Sequence, residues 1–200
     1  MSRYSKAAIA IAAALAATAC GQSSPTPTPR RHAYPRTEIY DTVYAPAPEA
    51  PLSFCVNAAA KAMPDSAGRW LTVEYPLYKA TLYVTFSEAD SPEGLEATLA
   101  NRRERISLNL AGASATTTHI ASPAGFESVL VEAPGETLPL QFVSTDGSRW
   151  AVSGAVQMQH PAPYDSVRPT TDAMRRDLVR ALASLAPAGP ETQAQKPTHR

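Results

Sequence analysis

Two neighbouring runs of alternating apolar and polar residues constrain the fold of this chain more than any other feature. They lie in RWLTVEYPLYKATLYVTF, residues 69–86. The alternating apolar positions are Leu71, Val73 and Tyr75, followed after Pro76–Lys79 by Leu82, Val84 and Phe86. Because successive side chains of a strand point to opposite faces, this alternation predicts two strands that each bury one face. The intervening proline segment predicts a turn, so the two strands form an antiparallel hairpin.

A helix is predicted directly after this hairpin, in SPEGLEATLANRRERISLNL. Ser91 suits the N-cap, Pro92 suits the first helical position, and Glu93 lies near the positive end of the helix dipole. The predicted apolar stripe consists of Leu95, Leu99, Ile106 and Leu110. The charged residues 102–105 are predicted to lie mostly on the solvent-facing side.

Further strands are predicted after this helix, in TTTHIAS, GFESVLVEA and TLPLQFVST. Asp146–Gly147 is the strongest hairpin signal, because both positions tolerate positive φ. It precedes RWAVSGAVQMQ, in which Trp150, Val152, Val156 and Met158 share one face. The element order predicts an α+β fold, with an antiparallel sheet of about 5–7 strands and two main helices packed on it. This order is like that of the PsbP/Mog1-type sandwich, an analogy that carries no function.

The stretch HPAPYDSVRPTTDAMRRDL, residues 160–178, is either a catalytic cluster or the start of the last helix. Apolar positions recur at helical spacing and favour a helix that packs on the sheet. These positions are Val167, Thr171, Met174, Leu178, Ala181, Leu182 and Leu185. Asp165 or Ser166 is then predicted to be the N-cap. Pro169 disfavours helical geometry at Arg168, so a start at Thr170 is the alternative.

Charged and aromatic side chains around this last helix give a second hypothesis. Arg175, Arg176 and Arg180 flank the apolar stripe and are predicted to face mostly solvent. If the segment has a role beyond folding, we expect a partner surface formed by Tyr164, Arg168, Arg175 and Arg176, since tyrosine and arginine favour interfaces.

The N-terminus has the features of a lipoprotein signal peptide. Arg3 and Lys6 precede the apolar run AAIAIAAALAA, and the small residues of ATAC lead to Cys20. A basic segment, an apolar segment and small residues before a cleavage site identify a signal peptide. A cysteine at the new N-terminus predicts lipid attachment at Cys20, and multiple acyl chains hold such a protein on a membrane.

The chain divides into four segments. We predict a signal peptide at 1–19, a Pro/Ser/Thr-rich tether at 20–33, a single α+β domain at 34–185 and a disordered tail at 186–200. Loss of Arg3 and Lys6 leaves 16 of the 18 basic residues against 18 acidic ones, a formal charge of −2. This balance excludes a basic surface for nucleic acid.

The sequence offers no catalytic motif. It lacks GxSxG, CxxC and HExxH, and its glycines do not form a phosphate-binding loop. Scattered candidates for a hydrolase are His119, His160, Ser128, Ser166 and Asp165, and paired carboxylates could come from Glu74, Glu127 and Glu132. Glu74 and Glu132 lie on predicted strands, where a solvated face explains them. We therefore expect a protein that is not an enzyme and has no cofactor or metal.

The single remaining cysteine and three tyrosines each allow two interpretations. Cys55 lies in LSFCVNAAA and is predicted to be a buried, inert thiol rather than a nucleophile. Tyr34, Tyr40 and Tyr44 lie in a proline-rich segment before the domain. They either anchor an extended N-terminal arm on the fold or present a partner-binding arm.

Several of these stretches, in their order and spacing, resemble the gliding motility lipoprotein GldD family of the Bacteroidetes. The resemblance rests on YPRTE, WLTVEYPLYKATLYVTF, FVSTDGSRWAVSGAVQMQ, PYDSVRP and DAMRRDLVRALASL, together with Cys20, and covers residues 34–185. It implies an envelope lipoprotein of gliding motility and type IX secretion that supports assembly of the machine. Lipid attachment at Cys20 is the one role that carries over to a residue.

The leading hypothesis is therefore a lipid-anchored, non-catalytic interaction component with envelope protein partners. Gly21 follows Cys20 without an acidic cluster, so we expect an outer-membrane lipoprotein that faces the periplasm. The alternative is a periplasmic module that binds a small ligand or lipid, and a third is an envelope hydrolase. A large apolar cavity between sheet and helices would favour the ligand-binding module.

Overall fold

The computed structural model describes residues 43–159 and 164–188, with the backbone alone at 164–167. The strands are β1 (Tyr44–Pro46), β2 (Leu52–Ser53), β3 (Cys55–Asn57), β4 (Lys61–Pro64), β5 (Trp70–Tyr75), β6 (Ala80–Glu88), β7 (Thr116–Ala121), β8 (Glu127–Glu132), β9 (Leu140–Thr145), β10 (Trp150–Met158) and β11 (Ala186–Pro187). The helices are α1 (Pro92–Leu110) and α2 (Tyr164–Ala183), and a 3₁₀ turn at Pro76–Tyr78 joins β5 to β6. Within these described ranges, neither helix is long and apolar enough to cross a membrane.

Seven strands form one sheet in the order β4-β5-β6-β10-β9-β8-β7. All neighbouring pairs are antiparallel, which confirms the predicted α+β fold with two main helices. The hairpin at Asp146 is also confirmed. Its carboxylate oxygen Oδ1 accepts the backbone N–H groups of Ser148, Arg149 and Trp150, and Gly147 has a φ of 72°.

Gly154 allows the centre of the sheet to pack closely. It lies in β10, where it pairs with Val84 of β6 and Phe142 of β9. A Cβ atom at this position would lie 2.5 Å from a ring carbon of Phe142 and 2.5 Å from the carbonyl oxygen of Tyr83. The aromatic ring therefore occupies the space that any other residue would need, which explains a glycine inside a central strand.

The sheet has two covered faces of unequal burial. We call the face that carries Phe142 and Val152 the inner face and the face that carries Val143 and Ala151 the outer face. The inner face forms the main core with α2 and with Phe54, which stacks on Phe142 at a centroid distance of 6.5 Å. The outer face forms a smaller cluster with α1.

Short strands around the main sheet were not predicted. β1 pairs with β3, and β11 pairs with β2, both antiparallel. The second pair includes Ala186 and Pro187, which lie just beyond the predicted domain end at Leu185. Through this pairing, residues 186–187 satisfy backbone groups of β2.

The start of α1 matches the prediction, and the start of α2 does not. Ser91 is the N-cap of α1, and its Oγ accepts the N–H of Gly94 at 3.1 Å. α2 begins at Tyr164, earlier than either predicted start, and Pro169 lies inside it. Asp165 and Ser166 therefore lie within its first turn rather than before it. An acidic residue there still lies near the positive helix end, and the contacts of both side chains stay a prediction.

Candidate functional site

An apolar groove lies on the outer face between α1 and strands β7–β9. The N-terminal half of α1 packs tightly there, since Leu95 and Leu99 are buried against Val143 and Ala151. Its C-terminal half packs less closely, and Ile106 is only half-buried. The space left between helix and sheet has a volume of about 380 Å³. We call it the α1 groove.

The strands form the floor of the α1 groove and the helix forms its wall. The strand side contributes Thr117, Glu127, Val129, Val131, Val143, Ser144 and Thr145, and Ala115 precedes β7. The helix side contributes Leu99, Arg103, Ile106, Ser107 and Leu110. Seven of these thirteen residues are apolar and six are polar or charged, but most of the surface that lines the groove is apolar, which is typical of small-molecule sites.

Strand register and one hydrogen bond fix the direction of the groove. Glu127 pairs with Thr145 at one end of its floor, and Val131 pairs with Gln141 at the other. Asn109, next to the last residue of α1, donates a hydrogen bond to Gln141 at 2.7 Å. The C-terminal end of α1 therefore lies at the Val131 end, and its N-terminal half lies at the Glu127 end.

Two charged side chains line this groove. Nη1 of Arg103 lies 3.3 Å from Oε1 of Glu96, one of the residues nearer the start of α1, so the guanidinium reaches toward the Glu127 end. Both partners are mostly exposed, and such pairs are weak and exchangeable. Glu127 has no ion-pair partner among the described residues.

Sequence reasoning missed this site although one signal for it was present. Residues 102–105 were predicted to be mostly solvent-facing, and residues 103–105 are indeed exposed. Arg103 nevertheless lines the groove, and Arg102 is half-buried beside Ser87. Arg103 lies four residues after Leu99 and three before Ile106. Since such spacings share a helix face, the apolar stripe itself contained the arginine.

The predicted partner-surface residues separate into two groups. Arg175 is half-buried, and its Nε lies 2.8 Å from both carboxylate oxygens of Glu132. It therefore holds α2 against β8, and Glu132 is not on a solvated face as predicted. Arg168 is exposed and lies 3.9 Å from Asp172, and Arg176 is also exposed. The side chain of Tyr164 lies outside the described residues.

Tyr44 anchors the start of the described chain on α2. Its hydroxyl donates a hydrogen bond to Oδ1 of Asp177 at 2.6 Å, and Arg180 lies 4.5 Å from its ring centroid. Burial and then the bond to Asp177 raise the pKa of Tyr44 to about 12. This contact matches the anchoring interpretation, whereas Tyr34 and Tyr40 lie outside the described residues.

Burial also raises the pKa of the Asp177 carboxyl, because the charged form is poorly solvated inside the protein. The hydrogen bond from Tyr44, the charge of Arg176 and the Asn57 side chain oppose this shift. Asp177 therefore joins β1 and α2 through a carboxyl group that is harder to ionise than usual.

The candidate catalytic residues are not assembled in the part of the chain that the structure describes. Ser128 accepts a buried hydrogen bond from Ser144 at 2.6 Å, and His119 is exposed on β7. His160 and the side chains of Asp165 and Ser166 lie outside the described residues. In that same part, no three His, Cys, Asp or Glu side chains are grouped to hold a metal ion.

Cys55 does not line the α1 groove. Cys55 is half-buried rather than buried as predicted, because it lies in the short strand β3 at the margin of the core. Its backbone N–H donates to Oγ of Ser184 at 2.8 Å, which joins β3 to the residue after α2. Cys20 lies outside the described residues.

Comparison with known proteins gives one family. The family model described as gliding motility lipoprotein GldD matches residues 24–186, most of the chain. The matched region contains every strand and helix described above except the last residue of β11. No match to a curated protein was found.

Proposed function

Because the chain belongs to the gliding motility lipoprotein GldD family, we propose that it is a non-catalytic interaction component that supports assembly of the gliding motility and type IX secretion machinery. The family match is the observation that carries this proposal. The densely packed inner core supports it, because such a domain is a rigid support for a protein-binding surface.

The same proposal includes a lipid anchor on Cys20, a tether over residues 20–33 and a position on the outer membrane facing the periplasm. The sequence before Cys20 supports the anchor. Metabolic labelling with a palmitate analogue should mark the protein, and Cys20→Ser should abolish the label. Persistent labelling would refute the anchor, and digestion of the domain by protease added to intact cells would refute the periplasmic orientation.

The exposed face of α2 is the part we propose for partner binding. Arg168 and Arg176 are exposed there, whereas Arg175 is committed to Glu132. A pull-down of the lipidated protein from native membranes should recover components of the secretion or motility machine. The double variant Arg168→Glu and Arg176→Glu should lose them by reversing two charges at the surface.

A matched control for this pull-down lies on the other helix. Arg105→Glu also reverses an exposed charge, but on α1, and should leave recovery unchanged. Failure of the unaltered protein to recover any component of an intact machine would overturn the assembly role. If Arg105→Glu loses these components as completely as the double variant does, the placement of the partner surface on α2 is overturned.

A second candidate function is a module that binds a small ligand or lipid. The α1 groove favours it, because a largely apolar space of about 380 Å³ lies between sheet and helix and falls in the range of ligand pockets. The two functions are compatible in space, since the groove lies on the outer face and α2 covers the inner face.

A further inference from the structure

We propose that the α1 groove binds one apolar chain of an amphiphile whose head group carries one negative and one positive charge. The inference rests on the second candidate function, and it assigns the ligand chemistry and the residues that recognise it. The apolar chain lies along Val129 and Val131, and the head group lies beside Arg103 and Glu127.

The groove walls account for the apolar chain. Val129, Val131 and Val143 project from the outer face into the groove, and Ile106 and Leu110 face them from α1. Val129, Ile106 and Leu110 are only half-buried in the protein alone. An apolar chain between these side chains would remove their remaining surface from water, which is the main driving force for such binding.

The width of the groove favours a single chain over a protein segment. Its floor runs along β8 from Glu127 to Val131, about 13 Å at roughly 3.3 Å per residue. A volume of about 380 Å³ over that length gives a mean cross-section of about 29 Å². A single extended apolar chain can fill a section of that size, whereas a helix about 10 Å across would lie partly outside the groove.

The charges at one end of the groove account for the head group. The Arg103 guanidinium reaches toward the end where Glu127 and Thr145 pair. The groove lining at that end therefore has one cation, Arg103, and one anion, Glu127, and Glu96 is a second anion beside the arginine. A purely anionic head group would be repelled by Glu127 and a purely cationic one by Arg103, whereas a zwitterionic head group meets an opposite charge twice.

Replacement of the present ion pair is feasible. Arg103 contacts Glu96 across 3.3 Å with both side chains mostly exposed, and surface pairs of this kind contribute little. A ligand phosphate or carboxylate offers the guanidinium two parallel hydrogen bonds, which are stronger. Glu127 has no ion-pair partner among the described residues, so binding of a ligand there breaks no ion pair of this carboxylate.

The test uses the mature chain from residue 20 with Cys20→Ser, and three amphiphiles that share one sixteen-carbon chain. They are a zwitterionic lysophosphatidylethanolamine, anionic palmitate and cationic hexadecylamine, each titrated calorimetrically below its micelle concentration. We expect the zwitterion to bind at least about tenfold more tightly than either of the others, as expected for one additional charge-assisted contact.

Charge variants then identify the two residues. Arg103→Gln should weaken zwitterion binding about tenfold through loss of a charge-assisted hydrogen bond. Glu127→Gln should weaken zwitterion binding and strengthen palmitate binding, because it removes the repelling carboxylate. Arg105→Gln is the matched control, since this neighbouring arginine does not line the groove, and it should leave every affinity unchanged.

Two filling variants locate the chain. Val129→Trp fills the groove from the sheet and Ser107→Trp fills it from the exposed side of α1, and circular dichroism checks that each variant folds. We expect a folded filling variant to lose binding of all three amphiphiles. Binding that survives in both variants would place the ligand elsewhere and overturn the proposal.

The remaining outcomes separate this inference from the function on which it rests. Equal affinity for the three amphiphiles, with no effect of Arg103→Gln, would overturn the head-group assignment and leave an apolar ligand module. If none of the three amphiphiles binds, both this inference and the ligand-binding function on which it rests are overturned. If the protein instead captures a partner helix, and Val129→Trp blocks that capture, the occupant of the groove is a protein and not an amphiphile.

Discussion

The two helices have nearly the same length, 19 residues in α1 and 20 in α2, but they are attached to the sheet very differently. Six apolar residues of α2 and the segment after it are at most 2 % exposed, namely Ala173, Met174, Leu178, Ala181, Leu182 and Leu185, and Val179 and Ala183 are half-buried. On α1 only Leu95 and Leu99 are buried, and Leu108 is 70 % exposed. We infer that α2 stabilises the domain, whereas α1 leaves apolar surface available for binding.

Polar contacts increase this difference. Arg175 of α2 bonds to Glu132 on β8, Asp177 bonds to Tyr44 on β1, and Ser184 bonds to β3. The C-terminal half of α1 has two polar bonds to the sheet among the described contacts, from Arg102 to Ser87 at 3.4 Å and from Asn109 to Gln141 at 2.7 Å. These three contacts of α2 and Ser184 are all 2.6–2.8 Å long and reach three different strands, so they should restrict that helix more.

Truncation of an apolar side chain in each helix should give the largest contrast. Leu178→Ala removes a side chain that is 1 % exposed and should lower the free energy of unfolding by about 3 kcal/mol. Ile106→Ala, at the half-buried groove wall, should lower it by about 1 kcal/mol, because the groove already leaves part of its surface in water. Urea unfolding measures both values, and equal losses would remove the distinction between the helices.

Loss of one arginine in each helix should give a smaller contrast. Arg175→Gln leaves Glu132 partly buried without its cation and should cost about 1–2 kcal/mol. Arg103→Gln breaks a mostly exposed pair and should cost less than about 0.5 kcal/mol. Thermal unfolding of both variants measures this contrast. A larger loss from Arg103 than from Arg175 would show that α1 contributes more to stability than we infer.

The smallest expected effect is the pH dependence of the α2 contact to Tyr44. Since burial raises the pKa of Asp177 in the folded state, the associated stability is complete below the unfolded pKa of about 3.9 and is lost as pH rises through the folded pKa. Asp177→Asn cannot ionise and keeps an oxygen for Tyr44. As the pH is raised from 3.5 to 7, the variant should therefore become more stable relative to the unaltered protein.

Urea midpoints of both proteins at the two pH values test this expectation. Asp172 is an exposed acid on the same helix, so Asp172→Asn serves as the control. This control should shift the urea midpoint by the same amount at both pH values. A relative loss of stability by Asp177→Asn on raising the pH would show that the charged carboxylate stabilises the contact.

The sequence predicted those parts of the fold in which one periodicity persists over many residues. The hairpin of β5 and β6, the Asp146 turn and the buried stripe of α2 are examples, because burial of one face imposes a regular pattern. The strands β1–β4 were missed because they have two to four residues and depend on tertiary partners. The start of α2 was misplaced because Pro169 resembles a boundary and here lies inside the helix.

The candidate site could be predicted only in part. The pattern of α1 places Leu99, Arg103 and Ile106 on one face, and alternation places Val129 and Val131 on one face of β8. No local pattern reports how far the end of a helix lies from a sheet, so the groove itself required the structure. In contrast, Arg175 was expected at a surface because its partner Glu132 lies 43 residues away along the chain.

Amide hydrogen exchange, followed residue by residue by NMR on the mature chain with Cys20→Ser, tests the difference between the helices most directly. We predict that amides of α2 around Leu178 exchange with an opening free energy close to that of global unfolding, whereas amides of α1 around Ile106 open at lower free energy. Addition of the zwitterionic amphiphile should slow exchange in α1 and leave α2 unchanged. Equal protection of both helices, with no response of α1, would contradict the account.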